Sequence, residues 1–147
     1  MNDKVILLIE DNPDDEALTL RALRKNDIKS EVRVARDGQE ALDYFFGSEW
    51  SANPTPTVVL LDLMLPKVNG LEILQRIRAD ERTSLQPVVI LTSSKEEQDI
   101  IKSYQLGANS YIRKPVDFIQ FTEAVRQLGI YWLVMNESPP SSQGVTK

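Results

Sequence analysis

The chain contains neither cysteine nor histidine. Without cysteine there is no disulfide, no thiolate nucleophile and no zinc-thiolate site. Without histidine there is no imidazole base, so Ser-His and Cys-His triads are excluded. Nor can the chain carry a phosphohistidine; a reaction that needs one must take it from another protein. No apolar run is long enough to cross a bilayer and no charged-then-apolar leader is evident, so a cytoplasmic protein with no membrane contact is expected. A basic face is missing as well. Seventeen Lys and Arg are scattered among 22 Asp and Glu, for a net charge of −5. Arg21, Arg24 and Lys25 do cluster, but a solvated helix face explains them, and direct nucleic-acid binding is not expected.

What is present is a regular alternation of short apolar runs with helical patterns, the signature of βα units on a parallel sheet. The 147 residues suit one domain, expected over 1–135, with 136–147 as a flexible tail rich in Ser, Pro and Gly. The first strand, 4–9, lacks polar alternation, as a strand buried on both faces would. Asn12-Pro13-Asp14-Asp15 reads as a helix start, and that helix runs to about Lys25 with Ala17, Leu20 and Leu23 at helical spacing. A weaker edge strand is expected at 31–35. Asp37-Gly38 opens a short helix to Phe46. Residues 47–56 form a loop in which Trp50 either packs the chain down, the preferred reading, or stands as an exposed anchor for a partner. A third strand covers 57–61, and Asn69-Gly70 starts a helix through about Ala79 with Leu71, Leu74 and Ile77 inward. The fourth strand is 88–91. Ser94-Lys95-Glu96-Glu97 has the form of a capping box whose helix ends near Gly107. The fifth strand is 110–113, and Asp117 and Gln120 open the last helix. Five strands and five helices in strict alternation predict an α/β, doubly wound, five-stranded parallel sheet of order 2-1-3-4-5, the flavodoxin-like arrangement.

Ligands of such sheets gather at the carboxyl ends of the strands. Four of those ends carry chemistry: Glu10-Asp11 after the first, Asp62 after the third, Thr92-Ser93 at the fourth, Lys114-Pro115 after the fifth. In the 2-1-3-4-5 order the first and third strands are neighbours, so Glu10, Asp11 and Asp62 converge. Crowded carboxylates raise one another's pKa, and a hard cation relieves that penalty. Mg²⁺ is the expected metal. Asp11 and Asp62 are assigned as direct ligands, Glu10 as a direct or water-mediated one, and the backbone carbonyl of Met64 as the carbonyl ligand. Asp62 is the candidate nucleophile, since a carboxylate can attack phosphorus to form an acyl phosphate. Lys114 would supply compact positive charge and Thr92 a hydroxyl hydrogen bond to a phosphoryl oxygen. A cis Lys114-Pro115 bond would aim the lysine back at the site, although trans is the general rule. Singly, each residue has a plainer explanation. Glu10 and Asp11 could stabilise a helix N-terminus, Asp62 could be a turn acid, Thr92 a β-branched strand residue and Lys114 a surface charge. Their coincidence at four strand ends favours the site.

These residues match a known family. From about residue 4 to 130 the chain resembles the receiver domain of two-component response regulators, through Leu8-Ile9-Glu10-Asp11-Asn12, Asp62-Leu63-Met64-Leu65-Pro66 with Gly70, Leu91-Thr92-Ser93, Gly107-Ala108 and Lys114-Pro115. The resemblance implies that Asp62 accepts phosphate from the phosphohistidine of a sensor histidine kinase, with self-catalysed phosphotransfer and autodephosphorylation. It also implies that Thr92 and Tyr111 form a switch; from the residues alone, Tyr111 is as readily a half-buried strand aromatic. Asn12-Pro13-Asp14-Asp15, the long loop before the third strand and the segment from Ile130 to Asn136 are similar to the small response regulators paired with cyanobacterial phytochromes. No output module is expected after residue 136, so the output would be a phosphate-dependent protein contact.

Phe118, Phe121, Val125, Leu128, Trp132 and Met135 form one apolar stripe if the last helix continues through Gly129. Ile119, Ile130, Leu133 and Val134 lie off it and are the candidate surface of a homodimer. Two other readings stay open. A phosphohydrolase of the haloacid-dehalogenase type also uses a strand-end Asp and Mg²⁺, but that family has a second acid two residues after the nucleophile, where this chain has Met64. A receiver-like interaction module that is never phosphorylated would not need Asp11, Asp62, Thr92 and Lys114 together.

Overall fold

A computed structural model describes residues 4–25, 30–114 and 117–140, with Phe118 described by its backbone alone. The strands are β1 (Val5–Ile9), β2 (Glu31–Ala35), β3 (Val58–Leu61), β4 (Val88–Thr92) and β5 (Ser110–Arg113). All neighbouring strands are parallel, in the order β2-β1-β3-β4-β5. The helices are α1 (Pro13–Lys25), α2 (Gly38–Phe46), α3 (Gly70–Ala79), α4 (Glu97–Gln105) and α5 (Phe118–Ile130). The architecture is the expected flavodoxin-like one.

The central strands show why polar alternation is absent. Successive side chains of a strand point to opposite faces, and here both faces are covered. Leu7, Ile9, Val59, Leu61, Val88 and Ile90 pack with Phe45 of α2 and Ile73, Leu74 and Ile77 of α3. Ile6, Leu8, Val58, Leu60, Val89 and Leu91 pack with Ala22 and Leu23 of α1 and Phe121, Val125 and Leu128 of α5. Each such Val, Leu, Ile or Phe side chain contributes about 1.5–3 kcal/mol of burial. The edge strand β2 is fully buried only at Ala35; Val32 and Val34 are partly covered and Glu31 is exposed.

Caps set the helix starts. The Asn12 side chain accepts from the amides of Asp14 and Asp15 at 2.9 and 3.0 Å. Asp37, Asn69 and Asp117 play the same part for α2, α3 and α5. The Ser94 capping box does not form. Helix α4 starts at Glu97 behind Glu96, whose side chain makes no cap. The Ser94 hydroxyl accepts from the Glu96 amide at 3.3 Å and donates to Asp99 at 2.6 Å instead. The inner face of α1 falls on Thr19, Ala22 and Leu23, while Ala17 is exposed. Gly107 ends the α4 segment at φ 89°, a left-handed conformation that suits glycine.

The last helix departs most from its pattern. After Ile130 the chain makes one π-helical turn, Tyr131–Met135, closed by the Asn136 amide on the Tyr131 carbonyl at 2.6 Å. A π-turn takes up an extra residue and shifts the helical phase of the side chains around it. Leu133, expected outside, is buried, and Met135, expected in the stripe, is 69% exposed. Among the described side chains the core stripe is therefore Phe121, Val125, Leu128, Trp132 and Leu133, with the Phe118 side chain outside that description. The Leu133 carbonyl accepts from the Lys4 ammonium, tying the turn to the start of β1. Within the loop before β3, Trp50–Ala52 forms a short 3₁₀ turn.

Candidate functional site

Backbone register brings the candidate residues together. The Asp62 amide donates to the Ile9 carbonyl at 3.1 Å, the Glu10 amide to the Ala35 carbonyl at 3.0 Å, and the Lys114 amide to the Thr92 carbonyl at 2.8 Å. Each bond extends a strand pairing by one residue, so Glu10, Asp62 and Lys114 leave the same rim of the sheet. Carboxylate oxygens of Glu10, Asp11 and Asp62 lie within 4.8 Å of one another. Asp11 is exposed, whereas Glu10 and Asp62 are buried.

Gly70 allows the backbone to close in behind Asp62. A Cβ at that position would stand 2.6 Å from the Asp62 carbonyl oxygen and 2.6 Å from the Leu63 Cα. The Gly70 amide donates to the Leu63 carbonyl at 3.0 Å, holding the start of α3 against the strand end.

Asp62 is fully engaged. Its Oδ1 accepts from the Thr92 hydroxyl at 2.7 Å and the Met64 amide at 3.0 Å. Its Oδ2 meets the Lys114 ammonium at 2.9 Å. Lys114 also pairs with Glu10 at 2.6 Å and Asp15 at 2.8 Å, so its three donors each reach a carboxylate. Asp15 was not expected here. As an acid in the first turn of α1 it looked like a dipole partner alone, and only the sheet topology shows that it faces Lys114.

Three carboxylates thus share one ammonium, and Asp11 brings the acids of the cluster to four. Burial pushes the Glu10 carboxyl up to about 7, against the opposing pull of Lys114. Burial works to depress Lys114, but the hydrogen bonds it donates to Asp15, Glu10 and Asp62 outweigh that and hold the ammonium charged. The excess of negative charge fits a hard divalent cation, whose preferred ligands are oxygens. Glu10, Asp11 and Asp62 are the carboxylates that could hold it.

Tyr111 is half-buried, and its hydroxyl donates to the Ser94 carbonyl at 3.1 Å. Burial raises its phenol. The Thr92 hydroxyl is wholly buried. Met64 projects its side chain, 60% exposed, over the rim, and the Ser93 hydroxyl meets its sulfur at 3.6 Å. Pro115 lies outside the described residues.

A doubly wound α/β chain with converging acids at its switch point, a strand-end threonine and an opposing lysine has a receiver-type architecture. The model of the response regulator receiver domain matches residues 6–126, and the chain belongs to that family. The response regulator Rcp1 of a Synechocystis strain is 37% identical over 131 residues, 88% of this chain and 89% of that protein. The crystal structure of its Mn²⁺-bound form superposes with a TM-score of 0.87 over 93% of this chain and 99% of that one, at 36% identity. The phosphorylated cyanobacterial phytochrome response regulator RcpA gives 0.88 over 94% and 99%, at 37% identity. The bacteriophytochrome response regulator RtBRR is 51% identical, with a TM-score of 0.72 over 96% of this chain and 87% of that one.

Proposed function

We propose that this protein is a Mg²⁺-dependent phosphoacceptor that relays a signal from a sensor histidine kinase. An Asp62 carboxylate oxygen attacks the phosphorus of a donor phosphohistidine. The P–N bond breaks, its electron pair leaves with the imidazole of the donor, and an acyl phosphate forms on Asp62. The observation that carries this reading is the pairing of Asp62 with the Thr92 hydroxyl at 2.7 Å and the Lys114 ammonium at 2.9 Å. Both donors already touch the Asp62 carboxylate, which supports their service to a phosphoryl group carried there. Glu10, Asp11, Asp62 and the Met64 carbonyl would hold Mg²⁺. When bound, the ion neutralises charge at the acids and at the phosphoryl oxygens.

Thr92 and Tyr111 form the readout. Once the Thr92 hydroxyl turns from the carboxylate to a phosphoryl oxygen, Tyr111 is free to leave the Ser94 carbonyl and the β4–α4 segment repacks. The similarity to RcpA and RtBRR supports a phytochrome-type kinase as donor, acting in the cytoplasm. Among the described residues no helix is long and apolar enough to cross a membrane. A homodimer is supported by the exposed apolar group Ile130, Tyr131, Val134 and Met135 on the last helix and its π-turn. With Leu133 buried, the discriminating variant is a double polar substitution of Tyr131 and Val134. Wild type should sediment as a dimer and the variant as a monomer; two monomers would remove the dimer.

The central test is incubation with acetyl phosphate or phosphoramidate and Mg²⁺, read by intact mass. Wild type gains one phosphoryl group and Asp62→Asn gains none. No adduct on wild type, or the same adduct on the variant, refutes the reading. No observation favours the phosphohydrolase.

A further inference from the structure

Lys114 directs its three donors to three carboxylates, Glu10 at 2.6 Å, Asp15 at 2.8 Å and Asp62 at 2.9 Å. Two of these acceptors have a second duty under the proposed function. Asp62 carries the phosphoryl group, and Glu10 and Asp62 belong, with Asp11, to the acids close enough together to share an ion. Once Asp62 is an acyl phosphate, it no longer offers the ammonium a free carboxylate. Asp15 is outside the ion-sharing set, and the transfer makes no call on it. It is the acceptor of Lys114 that the reaction leaves as it was.

The start of α1 holds Asp15 in place. Its amide donates to the Asn12 side chain at 3.0 Å, and its carbonyl accepts from the Thr19 hydroxyl at 2.8 Å. The Asn12 amide donates to the second oxygen of Glu10 at 3.1 Å. Glu10, Asn12, Asp15 and Lys114 thereby close a ring of hydrogen bonds at the first turn of the helix. A side chain launched from a capped helical turn and locked by such partners orients its target more narrowly than one on a loop. The Lys114 side chain is only 8% exposed, so it has little solvent to turn to. Asp14 carries the same charge in the same first turn and is exposed. Attraction to the helix dipole therefore does not by itself explain why Asp15 reaches inward.

We propose that Asp15 is a positioning residue for Lys114, keeping the ammonium beside the phosphoryl group when the Asp62 carboxylate becomes an acyl phosphate. The inference rests on Asp62 being the phosphoacceptor. Asp15 itself touches no reacting atom.

The test follows phosphoryl uptake from acetyl phosphate and Mg²⁺ by intact mass over time, with acetate as the leaving group. Asp15→Ala should slow uptake on the order of tenfold, the lower end of what outer partners of a site's ligands are worth. Asp15→Asn, which keeps the shape, should slow it in the same direction but less. Asp14→Ala should leave the rate unchanged. Loss of a negative charge alone would favour an anionic donor, so slower uptake separates positioning from charge. A second readout needs neither phosphate nor metal. The ¹⁵N ammonium resonance of Lys114, assigned with Lys114→Arg, should be resolved in wild type and Asp14→Ala and lost to solvent exchange in Asp15→Ala. The inference fails if both Asp15 variants take up phosphate at the wild-type rate, or if Asp14→Ala slows uptake equally. It also fails if Asp15→Ala leaves the Lys114 resonance unaltered. None of these results touches Asp62 as the acceptor; that reading, and this one with it, falls when wild type gains no phosphoryl group.

Discussion

At the carboxyl-terminal rim of the sheet, charged side chains bond to charged side chains: three carboxylates pair with the Lys114 ammonium, and Asp11 adds a fourth acid to the cluster. At the amino-terminal rim, donors bond to backbone carbonyls instead. Gln86 reaches those of Pro56 and Pro87, Arg82 that of Phe45, Tyr44 that of Pro54 and Lys4 that of Leu133. The difference lies in what each arrangement can exchange. A carbonyl acceptor at the end of a strand is fixed by the backbone and has its donor already in place. A carboxylate in excess over its cations is held at a cost that an incoming cation or phosphoryl group relieves. One rim is closed by neutral acceptors, and the other is left with charge to trade.

The contrast can be broken first at Asp62. Asp62→Asn should abolish phosphoryl uptake entirely, as read by intact mass, while the fold survives by far-ultraviolet circular dichroism. Next is Lys114→Ala, which leaves the buried Glu10 and Asp62 without their ammonium. Removing one partner of a buried ionic cluster costs about 3–5 kcal/mol, which should appear as a lower denaturant midpoint. Mg²⁺ should then stabilise wild type by about 2.7 kcal/mol at a hundredfold excess over its dissociation constant, and Asp11→Ala should abolish most of that gain. A thermal shift that survives Asp11→Ala would remove Asp11 from the ligand set. At the other rim, Gln86→Leu deprives the Pro56 and Pro87 carbonyls of a donor and should cost about 1–3 kcal/mol with phosphoryl uptake unchanged. The smallest effect belongs to neither rim's chemistry. Asn69→Ala removes the cap of α3 and should cost about 1 kcal/mol.

The gathering of acids at one rim was legible because β1, β3 and β4, buried on both faces, stand out as unbroken apolar runs that end at Glu10, Asp62 and Thr92. The sheet order followed from alternation and crossover handedness. What could not be read has a physical reason in each case. Asp15 sits where any helix favours an acid, so its approach to Lys114 depends on a contact across 99 positions in sequence. Ser94 satisfies a local capping pattern, but Asp99 offers its hydroxyl a better partner, and α4 starts later. The π-turn reassigns Leu133 and Met135 through a single displaced hydrogen bond that leaves no compositional trace.

The double-sided burial of β1, β3 and β4 also limits how such a protein can diversify. No residue within those strands has a face turned to water, so nearly every substitution there disturbs one of two cores. Novelty in partner choice is confined to strand ends, loops and outward helix faces. The interior acts as an inherited constant, and a lineage of such molecules would acquire new correspondents by redrafting its margins.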